Sequence, residues 1–206
     1  MNGHSILTRS GLLVDLLAPE PASIRLTDMA LALSRIPRFN GHTSRFWSGA
    51  DHSLLVLQLM GEDAPPPLRL AALLHDGHEC YIGDMTSPVH VALGTLSGEA
   101  FAAVVEMKER FDRSIEIAFA LTAGILLHPA IKAADRLALA IEVDQLMEKP
   151  PGVWNLPALP EQVPVLPQSD QMRAQNQFLL AALALLKDSR AGRFAAAAEG
   201  AEAAGG

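Results

Sequence analysis

Hydrophobic positions recur with a helical rather than a strand period along most of this chain. In "TDMALALSRIP", Thr27 is the predicted N-cap, Met29, Leu31, Leu33 and Ile36 follow, and Pro37 stops the helix. After a polar, Gly-containing loop, "RFNGHTSRFWSGAD", a second helix is predicted from about Ala50 through "HSLLVLQLM". "GEDAPPP" reads as a linker whose prolines fit a first helical turn, and a third helix is predicted over about Leu68 to Glu79. Gly83 and Pro88 punctuate the loop that follows. Further helices are expected over about Ser97 to Leu121, His128 to Met147 and Ser169 to Leu186. The first 26 residues look irregular, with a short hairpin around "SGLLVDLLAPEPASI". Residues 148–206 read as a Pro-rich surface excursion, the last helix and a frayed, low-complexity tail. Strand signals are few and no internal repeat or composition shift marks a boundary. The expectation is one all-α domain over residues 1–206, a bundle of about six helices.

Composition narrows the function classes. The chain has 206 residues, half of them hydrophobic and 19% charged, with formal net charge −7. Such a balance disfavours broad binding to a nucleic-acid backbone, but a metal or a local arginine can still hold a small anion. The single cysteine, Cys80, excludes an internal disulfide and suits a reducing compartment. Cys80 is either a thiol nucleophile or a buried spectator, and the frequency of cysteine in cores favours the spectator. The N-terminus lacks signal-peptide order, and no apolar run reaches the roughly 18–20 residues of a membrane span. A soluble, cytoplasmic protein without membrane partners is expected.

The stretch "AALLHDGHECYIGD" departs from core packing. An apolar helix runs into His75, Asp76, His78, Glu79 and Asp84 within ten positions. Charged groups are rarely buried without partners. His52 in "GADHSLLV" and Asp135 in "IKAADRLALAIEVDQL" also interrupt apolar runs. Together, His52, His75, Asp76 and Asp135 make a mixed N/O set suited to a divalent metal such as Mn, Co, Fe or Zn, and the ion would supply the carboxylates with counter-charge. Adjacent residues on a helix diverge by about 100°, so other helices must complete any shell that His75 and Asp76 begin. Asp144 competes with Asp135 as the last ligand, and the "AAD" context favours Asp135.

An isolated His, a consecutive His-Asp pair and a later helical Asp resemble the signature of the HD-domain metal-dependent phosphohydrolases. "LLHDGHECYIGDMTSPV" resembles the "HDxxE…GD…P" segment of the subgroup containing 5′-deoxynucleotidases and phage dATP (dNTP) triphosphohydrolases. "ADHSLLV", "KAADRLALAIE" and "ALSRIPRFNGHT" resemble its first metal-His helix, its final metal-Asp helix and its upstream substrate-contacting segment. The resemblance covers about Ile24 to Met147. It implies an all-α bundle with His52, His75, Asp76 and Asp135 on a divalent cation (Zn, Co or Mn, with Mg also compatible). It implies Glu79 as the acid that orients or deprotonates the attacking water, with Asp84 on the site wall as proton donor or sugar contact. Arg38 corresponds to the phosphate-binding arginine and Phe39 to an aromatic beside sugar or base. His42 is read as a substrate contact or a structural loop histidine.

Three positions depart from the pattern. His78 follows Gly77 where small residues are usual, and is read as an extra ligand, a phosphate contact or a surface residue. His90 stands where relatives often carry a lysine, so that phosphate contact is weaker or pH-dependent. "WSGADHS" replaces the commoner "YSVAxHS", leaving Trp47 either shaping the pocket or packing. Lys132 and Arg136 flank Asp135 as a solvated face or a phosphate-attracting rim. The expected function is hydrolysis of deoxynucleotides, leaning to release of triphosphate from a dNTP over release of phosphate from a dNMP. A nucleotide-binding regulatory module is the non-enzymatic alternative. The expected partners are a small nucleotide and further copies of the chain, as a dimer or hexamer, with no nucleic-acid polymer.

Overall fold

The computed structural model describes residues 3–148 and 154–203, with the backbone alone for residues 190–203. Among them are eight α-helices and one two-stranded sheet, the expected all-α architecture with more helices than the predicted six. Strands β1 (Ser5–Leu7) and β2 (Leu13–Asp15) pair antiparallel with Ile6 opposite Val14. Their turn includes Gly11 at φ 83°, a conformation that glycine adopts without steric cost. The hairpin therefore lies earlier than predicted. Ser10 fastens it to α1 (Leu26–Leu33), its backbone N–H and hydroxyl donating to the buried Asp28 at 3.0 and 2.6 Å. Thr27 is not the N-cap of α1; the helix starts one residue before it, capped at Arg25.

Helix α2 (Gly49–Leu59) begins with a capping box in which Ser48 and Asp51 each bond the other's backbone N–H. Helix α3 (Pro66–Leu74) is buried at every position from Leu70 to Leu74, as a helix that is apolar all round must be. It packs between α2 and α8 (Gln171–Ala203). On α8, Ala174, Phe178, Ala182 and Leu185 form a buried stripe at i, i+4 and i+3 spacing. The predicted end of this last helix, Leu186, falls short, because α8 continues to Ala203. Helix α7 (Pro129–Leu146) lies against α2 and is capped by His128.

The third helix does not reach Glu79 as predicted. It stops at Leu74, and the chain tightens through His75–His78 before the short α4 (Glu79–Ile82). Gly77 N–H donates to Leu74 O and Glu79 N–H to Asp76 O, both of the i→i−3 kind. At that pitch residues three apart eclipse one another, so Asp76 and Glu79 come to one side. The turn needs a glycine. A Cβ on Gly77 would stand 2.5 Å from Met29 Cε, 2.9 Å from Leu74 O and 3.0 Å from Ile115 Cδ1. The Gly77→Ala variant is expected to lose about 1–3 kcal/mol in urea unfolding, the usual cost of overpacking.

Helix α5 (Ser87–Leu96) has no counterpart in the sequence expectation. None of its residues is buried, so its hydropathy carries no stripe, and it leans on α6 (Gly98–Ala118). The Pro-rich excursion is ordered over its described part. Arg45 donates to Leu166 O and Pro167 O, Gln145 bonds Pro164 O and Leu166 N–H, and Arg136 donates to Asn155 O. Residues 149–153 of that excursion lie outside the described residues. No described helix is long and apolar enough to cross a membrane.

Candidate metal centre

His52 stands in the first turn of α2 and is fully buried. His75 follows the last residue of α3, and Asp76 begins the tight turn after it. One ligand atom from each of His52, His75 and Asp76 lies within 4.8 Å of the other two. Helix α7 brings Asp135 Oδ1 to 3.1 Å from His52 Nε2 and 3.9 Å from His75 Nε2. His52, His75 and Asp76 thus meet at one place, and Asp135 stands beside both histidines, so three segments of the chain contribute. The competing Asp144 is exposed to solvent.

Each imidazole is held by its other nitrogen. His52 Nδ1 lies 2.8 Å from Glu142 Oε1, and His75 Nδ1 lies 2.9 Å from Ala72 O. An acceptor at Nδ1 puts the proton there and turns the Nε2 lone pair toward the cluster, the usual arrangement behind a metal-binding histidine. His52 Nε2 and His75 Nε2 are buried and have no aligned hydrogen-bond partner among the described residues, although carboxylate oxygens stand 3.1 Å away. A divalent cation there fits this donor set, with two neutral nitrogens and two carboxylates.

The local electrostatics point the same way. Burial works against charge on both histidines, and so does Arg38 against His52, yet Glu142 and Asp135 raise His52 to about 10. Burial likewise disfavours charged His75, but Asp76 raises it overall. Burial, then the Asp76 and Asp84 carboxylates, push Glu79 well above the ordinary range. A cluster of this kind draws positive charge inward, either as protons on its histidines or as a cation.

Above the cluster opens a cavity of about 1080 Å³. Asp76, Glu79, Asp84 and Asp135 line it on the acidic side, with Arg38 and Lys108 as cations. Phe39, Leu139, Val91, Trp154 and Leu156 supply apolar wall, and His42 and His90 also border it. Every sequence-predicted site residue therefore either lines this cavity or, like His52 and His75, lies in the cluster beneath it. Their closeness differs. Arg38 Nη1 is 3.6 Å from Asp84 Oδ2, deep in the site, whereas His42 is exposed at the margin and His90 packs edge-on against Phe101. Phe39 stacks on Trp154 at 6.3 Å between ring centroids. Phe39 and Asn40 both adopt left-handed backbone angles, φ 53° and 52°. For a phenylalanine this is a strained conformation, held here next to Arg38. Burial pushes the Cys80 thiol up, which suits a spectator and not a nucleophile.

Glu142 was not among the residues expected from sequence. Fully buried on α7, it accepts from Arg38 Nη2 at 3.1 Å and Trp47 Nε1 at 2.9 Å while holding His52. Burial opposes its ionisation, but Arg38 and His52 outweigh that and lower it to about 2. Its signal was its spacing, seven residues after Asp135, which is two turns along the same helix face. Trp47 is thereby a buried hydrogen-bonded support. His78 is buried as well, with Nδ1 2.9 Å from Asp112 Oδ1 on α6. Lys132 is exposed, and Arg136 serves the excursion through Asn155.

No protein-family model matches the chain. It is 33% identical over 119 residues to the uncharacterized protein YfdR of Escherichia coli, a match covering 58% of this chain and 59% of that protein. It is 39% identical over 145 residues to the uncharacterized protein RCAP_rcc00048 of Rhodobacter capsulatus, a match covering 66% of this chain and 70% of that protein. On that extent of identity, the chain belongs to the same family as the Rhodobacter capsulatus protein.

Proposed function

We propose that the protein is a divalent-metal-dependent phosphohydrolase of the HD class, acting on deoxynucleotides and releasing triphosphate from a dNTP. The observation that carries the reading is the convergence of two imidazole nitrogens, with no aligned hydrogen-bond partner among the described residues, with Asp76 and Asp135 beneath a cavity also lined by Arg38, Glu79 and Asp84. A divalent cation bound by those four residues would supply Lewis-acid polarisation of a phosphoryl oxygen and lower the pKa of water. Glu79 takes the proton of the attacking water. Its burial, with the Asp76 and Asp84 carboxylates beside it, raises its affinity for a proton. The water oxygen bonds to the α-phosphorus as the bond from phosphorus to the 5′ oxygen breaks. Asp84, also raised by burial, delivers a proton to the leaving oxygen. Arg38 already pairs with Glu142 and Asp84, yet its buried Nε has no partner among the described residues and is free to donate to a phosphate oxygen. The cavity volume suits a whole nucleotide with its phosphate chain, and Lys108 adds a second cation for that chain. Leu139, Phe39 and Trp154 give sugar and base an apolar wall. These features favour the triphosphate over the monophosphate.

The test is a panel of dNMPs and dNTPs incubated with the protein and Mn, Co or Zn, with products separated by chromatography. Intact triphosphate is the expected product, and inorganic phosphate from a dNMP would replace this reading by the nucleotidase one. Absence of turnover by the metal-loaded protein would leave a binding module. The Glu79→Gln variant is expected to keep the ion at His52, His75, Asp76 and Asp135 while losing about 10²–10⁴-fold in kcat, the usual worth of a general base.

A further inference from the structure

His78 is more than a surface residue in this fold. It is 6% exposed and follows Gly77 in the tight turn that ends α3. Its ring repeats the arrangement of His52 and His75. Nδ1 is engaged by a carboxylate, Asp112 Oδ1 at 2.9 Å, while Nε2 is buried and has no hydrogen-bond partner among the described residues. With the Nδ1 proton given to Asp112, Nε2 carries a lone pair. Glu79 Oε2 is buried without a partner in the same way, on a residue 5% exposed. One ligand atom from each of Asp76, His78 and Glu79 lies within 4.8 Å of the other two. A structural role in binding Asp112 accounts for Nδ1 and leaves Nε2 buried against cost.

We propose that Asp76, His78 and Glu79 form a second divalent-cation site adjoining the first, with Asp76 shared between the two. An imidazole and two carboxylates suit Mn, Fe, Co or Zn. Asp76 has two oxygens, and a carboxylate can place one on each of two neighbouring ions, which in two-metal centres stand about 3.5–4 Å apart. Both groups adjoin the large cavity, where Asp76 and Glu79 are lining residues, so the second ion is reached from the same opening. Asp112 acts as a positioning residue, fixing the ring of His78 from α6 just as Glu142 fixes that of His52 from α7. The inference rests on the metal reading of His52, His75 and Asp76 but on no particular substrate, and with the second ion bound Glu79 is its ligand and gives up the proton-accepting role it has beside a single ion.

The experiment is a Mn²⁺ titration of the metal-free full chain, followed by calorimetry and by electron paramagnetic resonance. The wild type is expected to bind two ions per chain and to give a spectrum broadened by coupling between them. The His78→Ala variant should bind one ion with an uncoupled spectrum. Asp112→Asn, which keeps the side-chain shape and guards against a folding defect, should weaken only the second ion, by about 10–100-fold. One ion in the wild type, or coupling that survives His78→Ala, would overturn the second site and leave the first intact. A wild type that binds no Mn²⁺ would overturn both.

Discussion

The His75→Ala and Asp76→Ala variants are each expected to lose the ion held by His52, His75, Asp76 and Asp135 and to show no measurable phosphohydrolase activity. His75 is buried and its Nε2 lies 3.1 Å from Asp76 Oδ2 within the cluster. Loss of a residue that merely supports a ligand typically costs 10–100-fold in metal affinity, and loss of the ligand itself should exceed about 100-fold. Elemental analysis reads the metal content directly. Thermal unfolding gives an independent check. A cation at about 100 times its Kd stabilises the wild type by about 2.7 kcal/mol, and this rise on adding metal should shrink in His75→Ala and vanish in Asp76→Ala, the residue common to both groups. Unchanged metal content in either would show the assignment of ligands to be wrong.

The Glu142→Ala variant should be the most destabilised of the single substitutions considered. Glu142 is fully buried, and its carboxylate meets Arg38, Trp47 and His52 together. Removing it leaves a guanidinium and an indole N–H in the interior without their acceptor. Breaking a buried pair from one side costs about 3–5 kcal/mol, a large share of the roughly 5–15 kcal/mol by which an ordinary domain is stable. Urea unfolding measures it, and a loss below about 1 kcal/mol would mean that the bridge does not form. Glu142→Gln keeps an acceptor and should lose less. In Glu142→Ala His52 is released from its orientation, so metal affinity should drop along with stability.

Some of this site could be read along the chain because its chemistry is written in unlike neighbours. His75 and Asp76 break an apolar helix abruptly, and buried charge demands partners, so a cluster had to exist. Asp135 could be preferred over Asp144 from its local context, and α7 does carry Asp135 to His52. Glu142 escaped because one acid in "LALAIEV" looks like any helix acid until Trp47, Arg38 and His52, each about 90 or more residues away in sequence, are seen around it. Asp112 escaped for the same reason, 34 residues from His78. The α5 helix was missed because an exposed helix has no buried face to impose a period.

The amino-acid sequence by itself determined the all-α class and the donor types. Helical periodicity is a local property, and the choice between imidazole, carboxylate and thiol depends on nothing else in the fold. It also placed each donor on or beside a helix. Tertiary structure decided which donors meet and how they are held. The tight turn after Leu74 depends on the close approach of Met29 and Ile115 to Gly77, and it sets Asp76 beside Glu79. The orientation of His52, His75 and His78 depends on Glu142, Ala72 O and Asp112, one a turn away along the chain and two on other helices. The bonds of His52 to Glu142 and of His78 to Asp112 join residues distant in sequence, so no local pattern encodes them, whereas His75 is held within its own turn.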